Sequence, residues 1–178
     1  MTASVAETAV YAAAVATMGD FTHFTWWALA LYTAFLAASS AQLVAPGTVR
    51  GVTPYVWVTC LVVQSMVISG VVAMSATRCD TLVDAAAENG PLVYTAGNFA
   101  LHYWPTVGIV ARAPRRPVNH TNQAWVATLA FLVYATVKRP NAVYGCPVPY
   151  NVVVAAGFAA GALFAATISS HVYVVRHW

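Results

Sequence analysis

Charged side chains are scarce in this chain. Asp, Glu, Lys and Arg make up only 7% of its 178 residues, whereas 60% are hydrophobic. A soluble domain carries about 25% charged residues, so the composition predicts a single transmembrane domain over residues 1–178, with membrane lipids around it. The formal net charge of +3 forms no basic stripe, and we therefore expect no nucleic-acid partner.

Several kinds of chemical site are also missing from the apolar stretches. None contains a lysine that could form a Schiff base with a retinal-type pigment. A catalytic zinc ion wants about three protein ligands, and no second histidine or carboxylate stands near the middle of a stretch. No serine stands in a nucleophile-elbow signature, and no ion-selectivity filter is visible. We therefore expect neither a metal site nor another cofactor.

Five apolar stretches are predicted to cross the bilayer as helices. They cover residues 24–44, 54–76, 92–112, 123–137 and 152–175. The run from Ala9 to Met18 is shorter than the about 20 residues that a span needs, so we expect an interfacial helix there, with a short extra span as the alternative. The predicted fold class is all-α: a polytopic transmembrane helix bundle of five spans plus a short N-terminal helix that is a candidate sixth span.

The basic residues in the loops predict the orientation of the bundle. Five spans place the two chain ends on opposite sides of the membrane. The side of the C-terminus carries Arg50, Arg112, Arg115, Arg116 and Arg176, and the other side carries Arg78, Lys138 and Arg139. The larger basic group predicts a cytoplasmic C-terminus, and an extra N-terminal span would make the N-terminus cytoplasmic as well.

Two cysteines and two glycines suggest covalent and packing contacts. Cys79 and Cys146 would share the non-cytoplasmic side, where a disulfide could form. Two free thiols are the alternative, because a sequence does not establish the pairing geometry. Gly157 and Gly161 form a GxxxG pattern, which is typical of close helix packing within a bundle or in an oligomer.

The third stretch, residues 92–112, carries polar side chains at its centre, where such groups are costly and usually face a cavity or a partner. His102 lies about ten residues from either end of it. Asn98 lies one helical turn earlier on the same face, so its amide oxygen could hold one imidazole nitrogen and leave the other free as a base. Pro105 opens a gap in the backbone hydrogen bonds near Leu101. The alternative is a buried histidine that only hydrogen-bonds across the bundle.

A base at His102 would need a group to activate, and hydroxyl groups are what remain. The candidates are Thr22, Thr25, Thr33, Thr59, Ser65, Thr95 and Thr106. Threonine in a membrane helix usually packs or bonds to its own helix, so the residues alone single out none of them.

A series of short motifs adds a resemblance to these residues. The motifs are, in order, Gly19 before Phe24-Thr25 in GDFTHFTWWALALYTAFLAA, Asn98-Phe-Ala-Leu-His102, Pro105, Tyr134, and Val143-Tyr144 with Pro147 and Pro149. In their order and spacing over residues 19–178 the chain resembles the androgen-induced gene family. These are multipass membrane hydrolases that cleave fatty acid esters of hydroxy fatty acids, usually with six spans.

The resemblance implies roles for three residues. Thr25 matches the family's nucleophile and His102 its general base, with an acyl-enzyme on Thr25 as the intermediate. Asn98 would orient His102 or donate to the oxyanion. Counted from the same edge of the spans, Thr25 lies about 2 residues in and His102 about 11, so their depths would differ by about 13 Å. Helix tilt, an uneven edge or a re-entrant start would have to close that gap.

Three functions stay open at this point. The first is a membrane hydrolase of lipid esters that uses Thr25 and His102. The second is a non-catalytic structural or assembly protein, and the third is a small transporter or channel subunit with Asn98 and His102 along a polar path. An enclosed apolar cavity ending at Thr25 and His102 would favour the hydrolase, a tightly packed centre the structural role, and a water-filled path transport.

Overall fold

The helices are given by a computed structural model that describes residues 2–44, 53–112, 121–149, 151–153, 155–160, 162–163 and 167. They are α1 (Thr2–Met18), α2 (Phe24–Val44), α3 (Thr53–Thr77), α4 (Asp80–Asn98), a π-helix (Phe99–Tyr103), α5 (Trp104–Ala111), α6 (Thr121–Lys138) and α7 (Pro140–Val143). Residues 151–153 and 155–160 are helical as well. The described residues contain no strand, and the all-α prediction is confirmed for them.

Two of the described helices are long and apolar enough to cross a membrane. They are Phe24–Gln42 and Pro54–Thr77, with mean hydropathies of 1.2 and 2.0. Shorter apolar helices cover Val5–Met18, Ala124–Lys138 and Asn151–Ala160. The predicted third stretch consists of consecutive pieces, namely the end of α4, the π-helix and α5. The predicted fifth stretch begins as a helix, and residues 168–175 lie outside the described residues.

An aqueous loop is expected over residues 77–90, and that expectation is wrong because α4 begins at Asp80. The run Ala85–Ala87 has a high intrinsic helix propensity. Gly90 interrupts the helix with φ +74°, a conformation that glycine adopts at little cost. Pro91 then starts the next helical piece, where its missing N–H leaves no bond unmade.

The short N-terminal helix forms and packs along α2. Tyr11 is buried between the two helices, edge to face with Tyr32 at 5.2 Å between ring centroids. Its hydroxyl donates to the Ala100 carbonyl over 2.7 Å. Thus α1 is part of the bundle and does not lie apart from it at an interface.

An ion pair ties the start of α1 to α2 and α5. The Glu7 carboxylate accepts hydrogen bonds from the Tyr32 hydroxyl, from Trp104 Nε1 at 3.1 Å and from Arg112 Nη2 at 2.6 Å. Arg112 also donates through Nη1 to the Gly108 carbonyl over 2.9 Å. Because both charges are paired and hydrogen-bonded, they can be held between helices without an unmatched charge.

Two apolar clusters build the core on either side of α2. One joins α2, α3 and α6, and includes Phe24, Val63, Met66, Val67 and Tyr134. The other joins α1, α2, α3 and α5, and includes Tyr11, Leu29, Leu36, Cys60 and Ile109. Two hydrogen bonds show that α3 runs opposite to the π-helix and α5: Trp57 Nε1 donates to the Ile109 carbonyl of α5 and Gln64 Nε2 donates to the His102 carbonyl of the π-helix.

A disulfide joins Cys79 to Cys146. It connects the segment between α3 and α4 to the segment after α7, so those two loops lie at one end of the bundle. Cys60 is free and buried. The sequence had left a disulfide and two free thiols as alternatives.

Gly157 allows a close approach within this chain. A Cβ atom at this position would lie 1.9 Å from Cε1 of Phe131, so the helical segment 155–160 packs directly against α6. Gly161 lies outside the described residues. The GxxxG pattern as an oligomer contact therefore stays a prediction.

Two glycines give opposite expectations for stability. A Cβ atom at Gly108 would lie 1.8 Å from the Tyr32 hydroxyl oxygen, whereas a Cβ atom at Gly97 meets nothing within 4 Å. We expect Gly108→Ala to lower the free energy of unfolding by about 1–3 kcal/mol through overpacking. Gly97→Ala should raise it by about 0.5–1 kcal/mol through helix propensity. Thermal unfolding of the purified protein in detergent measures both, and equal shifts for the two variants would contradict the packing at Gly108.

Candidate functional site

Thr25 and His102 are in direct contact. Thr25 is the second residue of α2, His102 lies in the π-helix, and their Oγ1 and Nε2 atoms are 3.2 Å apart. The predicted 13 Å difference in depth is therefore wrong. The start of α2 lies inside the bundle, because the Tyr134 hydroxyl donates to the Thr22 carbonyl over 2.8 Å and the Phe24 N–H donates to the Tyr144 hydroxyl over 3.1 Å. The edge of the bundle is uneven at this point.

The hydrogen bond made by the second ring nitrogen of His102 determines which tautomer is present. Nδ1 lies 3.1 Å from the backbone carbonyl of Asn98, and a carbonyl can only accept a hydrogen bond. The proton of the neutral ring therefore lies on Nδ1. Nε2 presents its lone pair to the Thr25 hydroxyl, which donates to it, and this is the arrangement in which a histidine can remove a hydroxyl proton.

The role predicted for the Asn98 side chain needs correction, because the backbone carbonyl of Asn98, and not its side-chain amide, orients His102. The Cα–Cβ bond of a helical residue tilts toward the helix N-terminus, whereas its carbonyl points toward the C-terminus. The Asn98 side chain thus leans away from His102, and the imidazole leans back toward the Asn98 carbonyl. The Asn98 Oδ1 atom is buried and has no hydrogen-bond partner among the described residues.

The π-helix that holds His102 is stabilised from two neighbouring helices. The Trp104 N–H bonds to the Phe99 carbonyl, five residues back. With the same five-residue spacing, the N–H of residue 105 would donate to the Ala100 carbonyl, but Pro105 has no N–H. Tyr11 of α1 donates to the Ala100 carbonyl in its place, and Gln64 of α3 donates to the His102 carbonyl over 2.6 Å. The gap that Pro105 creates is therefore filled at Ala100 by a side chain from α1.

Five of the other candidate hydroxyls have other partners, and the hydroxyl of Thr106 has none among the described residues. Four of them donate to the carbonyl four residues earlier in the same helix, as is usual for such residues: Thr33, Thr59, Ser65 and Thr95. Thr22 is exposed, and its hydroxyl donates to Asp20 over 2.7 Å. Thr25 is thus the candidate whose hydroxyl meets a histidine inside the bundle.

A second group of Thr, His and Asp lies in the turn before α2, and its geometry differs. The Thr22 hydroxyl and the Asp20 carboxylate both contact Nδ1 of His23, at 3.0 and 2.9 Å. Because they share one ring nitrogen, the imidazole cannot relay a proton from one to the other. Hydrogen bonds from Thr22 hold the pKa of the exposed Asp20 below its usual range. This group offers matched control residues for Thr25 and His102.

A cavity of about 220 Å³ adjoins Thr25. Its wall includes Phe24, Thr25, Tyr134 and Tyr144 together with α3 residues between Met66 and Thr77. Residues of the segments 144–148 and 152–160 complete the lining, which is predominantly apolar. Thr25 is therefore next to a space that favours hydrocarbon.

Three buried polar atoms near His102 have no hydrogen-bond partner in the described part of the chain. They are Oε1 of Gln64, Oδ1 of Asn98 and Oγ1 of Thr106. Asn98 and Thr106 lie four residues on either side of His102, and Gln64 is bonded to its carbonyl. Buried polar atoms normally have a partner, so each of these three is open to a further hydrogen bond.

Tyr144 belongs to the site, although the sequence assigned it no role. Its hydroxyl accepts the Phe24 N–H over 3.1 Å, and Tyr144 lines the same cavity as Thr25 and Tyr134. Burial raises the pKa of Tyr144, so the hydroxyl keeps its proton and can donate it in a hydrogen bond. The only sequence signal was its place in the Val143-Tyr144 motif, because the contact joins residues 120 positions apart.

The tautomer of His102 can be measured directly. We expect ¹⁵N NMR of histidine-labelled protein to show His102 protonated at Nδ1, with Nε2 free of a covalent proton. Asn98→Ala should leave this pattern unchanged, since the partner is a backbone carbonyl. A proton on Nε2, or a change of tautomer in Asn98→Ala, would contradict the site geometry.

Comparisons with known proteins found no match to this chain among protein-family models, curated proteins or solved structures.

Proposed function

We propose that this protein is a multi-pass integral membrane hydrolase of lipid carboxylic esters, such as fatty acid esters of hydroxy fatty acids. Thr25 is the nucleophile and His102 the general base, as in the androgen-induced gene family that its motifs resemble. The observation that carries the proposal is the 3.2 Å contact between Thr25 Oγ1 and His102 Nε2, which joins residues 77 positions apart beside an apolar cavity.

The reaction follows from the protonation of the pair. His102 Nε2 takes the Thr25 proton as Oγ1 attacks the ester carbonyl carbon, and a tetrahedral oxyanion forms. The imidazolium then protonates the leaving alkoxide, which departs as the alcohol and leaves an acyl ester on Thr25. A water molecule, deprotonated by His102, attacks this ester and releases the fatty acid, and the proton returns to Thr25 Oγ1.

Tyr144 supplies a donor for the oxyanion. Its hydroxyl oxygen accepts the Phe24 N–H at the start of α2, where the helix dipole is positive. Accepting that bond strengthens the Tyr144 O–H as a donor. The developing charge on the substrate oxygen forms beside Thr25, next to the Tyr144 hydroxyl.

The Oε1 atom of Gln64 and the Oγ1 atom of Thr106 are buried without a hydrogen-bond partner among the described residues. We propose that they bind the water that His102 deprotonates in the second half of the reaction. A small transporter could use the same atoms as a polar path. The apolar lining of the cavity beside Thr25 favours the hydrolase over that alternative.

The membrane setting is supported by the surface of the bundle. Large apolar side chains are exposed on α4, α5 and α6, among them Leu92 at 82% and Val137 at 70%. Such a surface suits contact with lipid or with other membrane helices. We propose five spans, with α1 as a shorter sixth. The disulfide lies at the non-cytoplasmic end, and the two chain ends are cytoplasmic.

Labelling of membranes with a fluorophosphonate probe tests the catalytic pair. We expect the wild-type protein to be labelled and Thr25→Ala to give no label, because the attacking oxygen is gone. His102→Ala should slow labelling and ester hydrolysis by about 10²–10⁴-fold, the usual contribution of a general base.

Thr22→Ala and His23→Ala are the matched controls, because they remove the same groups from the turn just before α2. Thr22→Ala should label at the wild-type rate, and His23→Ala, whose ring packs against Tyr144, should lose much less than His102→Ala. Labelling that survives both Thr25→Ala and His102→Ala would reject the site and favour the non-catalytic structural role.

Tyr144→Phe tests the oxyanion donor. We expect kcat to fall by about 10²–10³-fold with little change in KM, because the lost hydrogen bond forms mainly in the transition state. Tyr134→Phe is the control, since that hydroxyl is already committed to the Thr22 carbonyl. A rise in KM with kcat unchanged, or an equal loss of kcat in both variants, would count against Tyr144 as the oxyanion donor.

A further inference from the structure

The cavity beside Thr25 runs along α3. Its wall on that helix extends from Met66 to Thr77, while Phe131 and Tyr134 of α6 and the segment 152–160 line the opposite side. Thr25 and Tyr144 bring the reacting groups to this wall. A chain attached through its carbonyl carbon to Thr25 Oγ1 therefore has this space to enter.

The lining indicates what chemistry the cavity would hold. Hydrocarbon side chains form most of it, and the described part of the wall contains no Asp, Glu, Lys or Arg. Such a surface gains by excluding water and offers no ionic partner for a charged headgroup. An alkyl chain fits it.

The cavity is large enough for part of an alkyl chain. Its volume of about 220 Å³ exceeds the space that several water molecules need, since one water takes ~10–15 Å³ when measured with a water-sized probe.

Gly70 of α3 places no side chain in the cavity. It lines the cavity, and a Cβ atom built there meets nothing within 4 Å. On the opposite wall Gly157 has no such room, because its Cβ atom would lie 1.9 Å from Phe131. A larger side chain at position 70 would enter the cavity without displacing its neighbours.

We infer that this cavity is the acyl-chain site of the enzyme, and that the absence of a side chain at Gly70 determines the length of the acyl chain that it takes. The inference rests on the proposed function, since Thr25 is the group that would carry the acyl chain.

The test compares the hydrolysis of 4-nitrophenyl esters with butanoyl, octanoyl, dodecanoyl and hexadecanoyl chains in detergent. We expect Gly70→Leu to move the maximum of kcat/KM to a shorter ester than the one that the wild-type protein prefers, with a loss of about fourfold for each methylene excluded from the cavity. Gly70→Ala should shift the profile in the same direction by less, which keeps the test valid if the leucine variant folds poorly.

Gly97→Leu is the control, because Gly97 also has open space at its Cβ position but lies outside the cavity lining. Its chain-length profile should equal that of the wild-type protein. Hydrolysis with the same profile in wild-type, Gly70→Ala and Gly70→Leu protein would overturn the inference and leave the proposed function standing.

A binding measurement separates the inference from the proposed function. Calorimetric titration of Thr25→Ala with octanoate should show binding, and Gly70→Leu in the same background should weaken it. If this pattern holds while the wild-type protein hydrolyses no ester, the cavity still binds acyl chains and the proposed hydrolase is wrong. No octanoate binding, or binding that does not depend on position 70, would overturn the inference.

Discussion

The break in the backbone hydrogen bonds at Pro105 is the constraint on which the site depends. In an apolar setting every carbonyl needs a donor, and Pro105 supplies none to Ala100. The chain responds with a π-helix over Phe99–Tyr103 and with a hydroxyl from α1. The histidine lies in this one wide turn, where its ring reaches the Asn98 carbonyl behind it and Thr25 in front. The same break thus makes the helix irregular and positions the candidate base.

The second requirement is a helix that begins inside the bundle. Thr25 could not meet His102 if α2 started at the outer edge of the bundle. Tyr134 and Tyr144 supply the hydrogen bonds that the Thr22 carbonyl and the Phe24 N–H would otherwise find in water. The disulfide between Cys79 and Cys146 holds the segment next to Tyr144 against the end of α3. Packing at this end of the bundle is therefore part of the site, and the Glu7–Arg112 ion pair anchors α1 toward the other end.

The physical chemistry of the site differs between its two sides. Gln64, whose side chain donates to the His102 carbonyl, and Thr106, one helical turn after His102, each leave a buried polar atom without a partner among the described residues. On the side of Thr25, the cavity is apolar. An ester hydrolase needs both environments at one residue, since water must reach the histidine while the acyl chain is kept in hydrocarbon. A residue that only packs against its neighbours needs neither.

The sequence by itself determined the elements that depend on local pattern. The limits of α2 and α3 and the position of α6 followed from hydropathy and from proline and loop signals, and these were predicted to within a few residues. The sequence also showed a polar site around Asn98, His102 and Pro105, because polar groups are rare in apolar stretches. The helix after Asp80 was missed because its charges were taken as a sign of an aqueous loop, although charged residues are compatible with an exposed helix. Only the tertiary structure decided which atom of Asn98 holds the imidazole, that Thr25 and not another hydroxyl reaches Nε2, and that Tyr144 joins them. Those contacts link residues far apart in the chain. They depend on the depth at which each helix begins, and counting residues from the membrane edge does not give that depth.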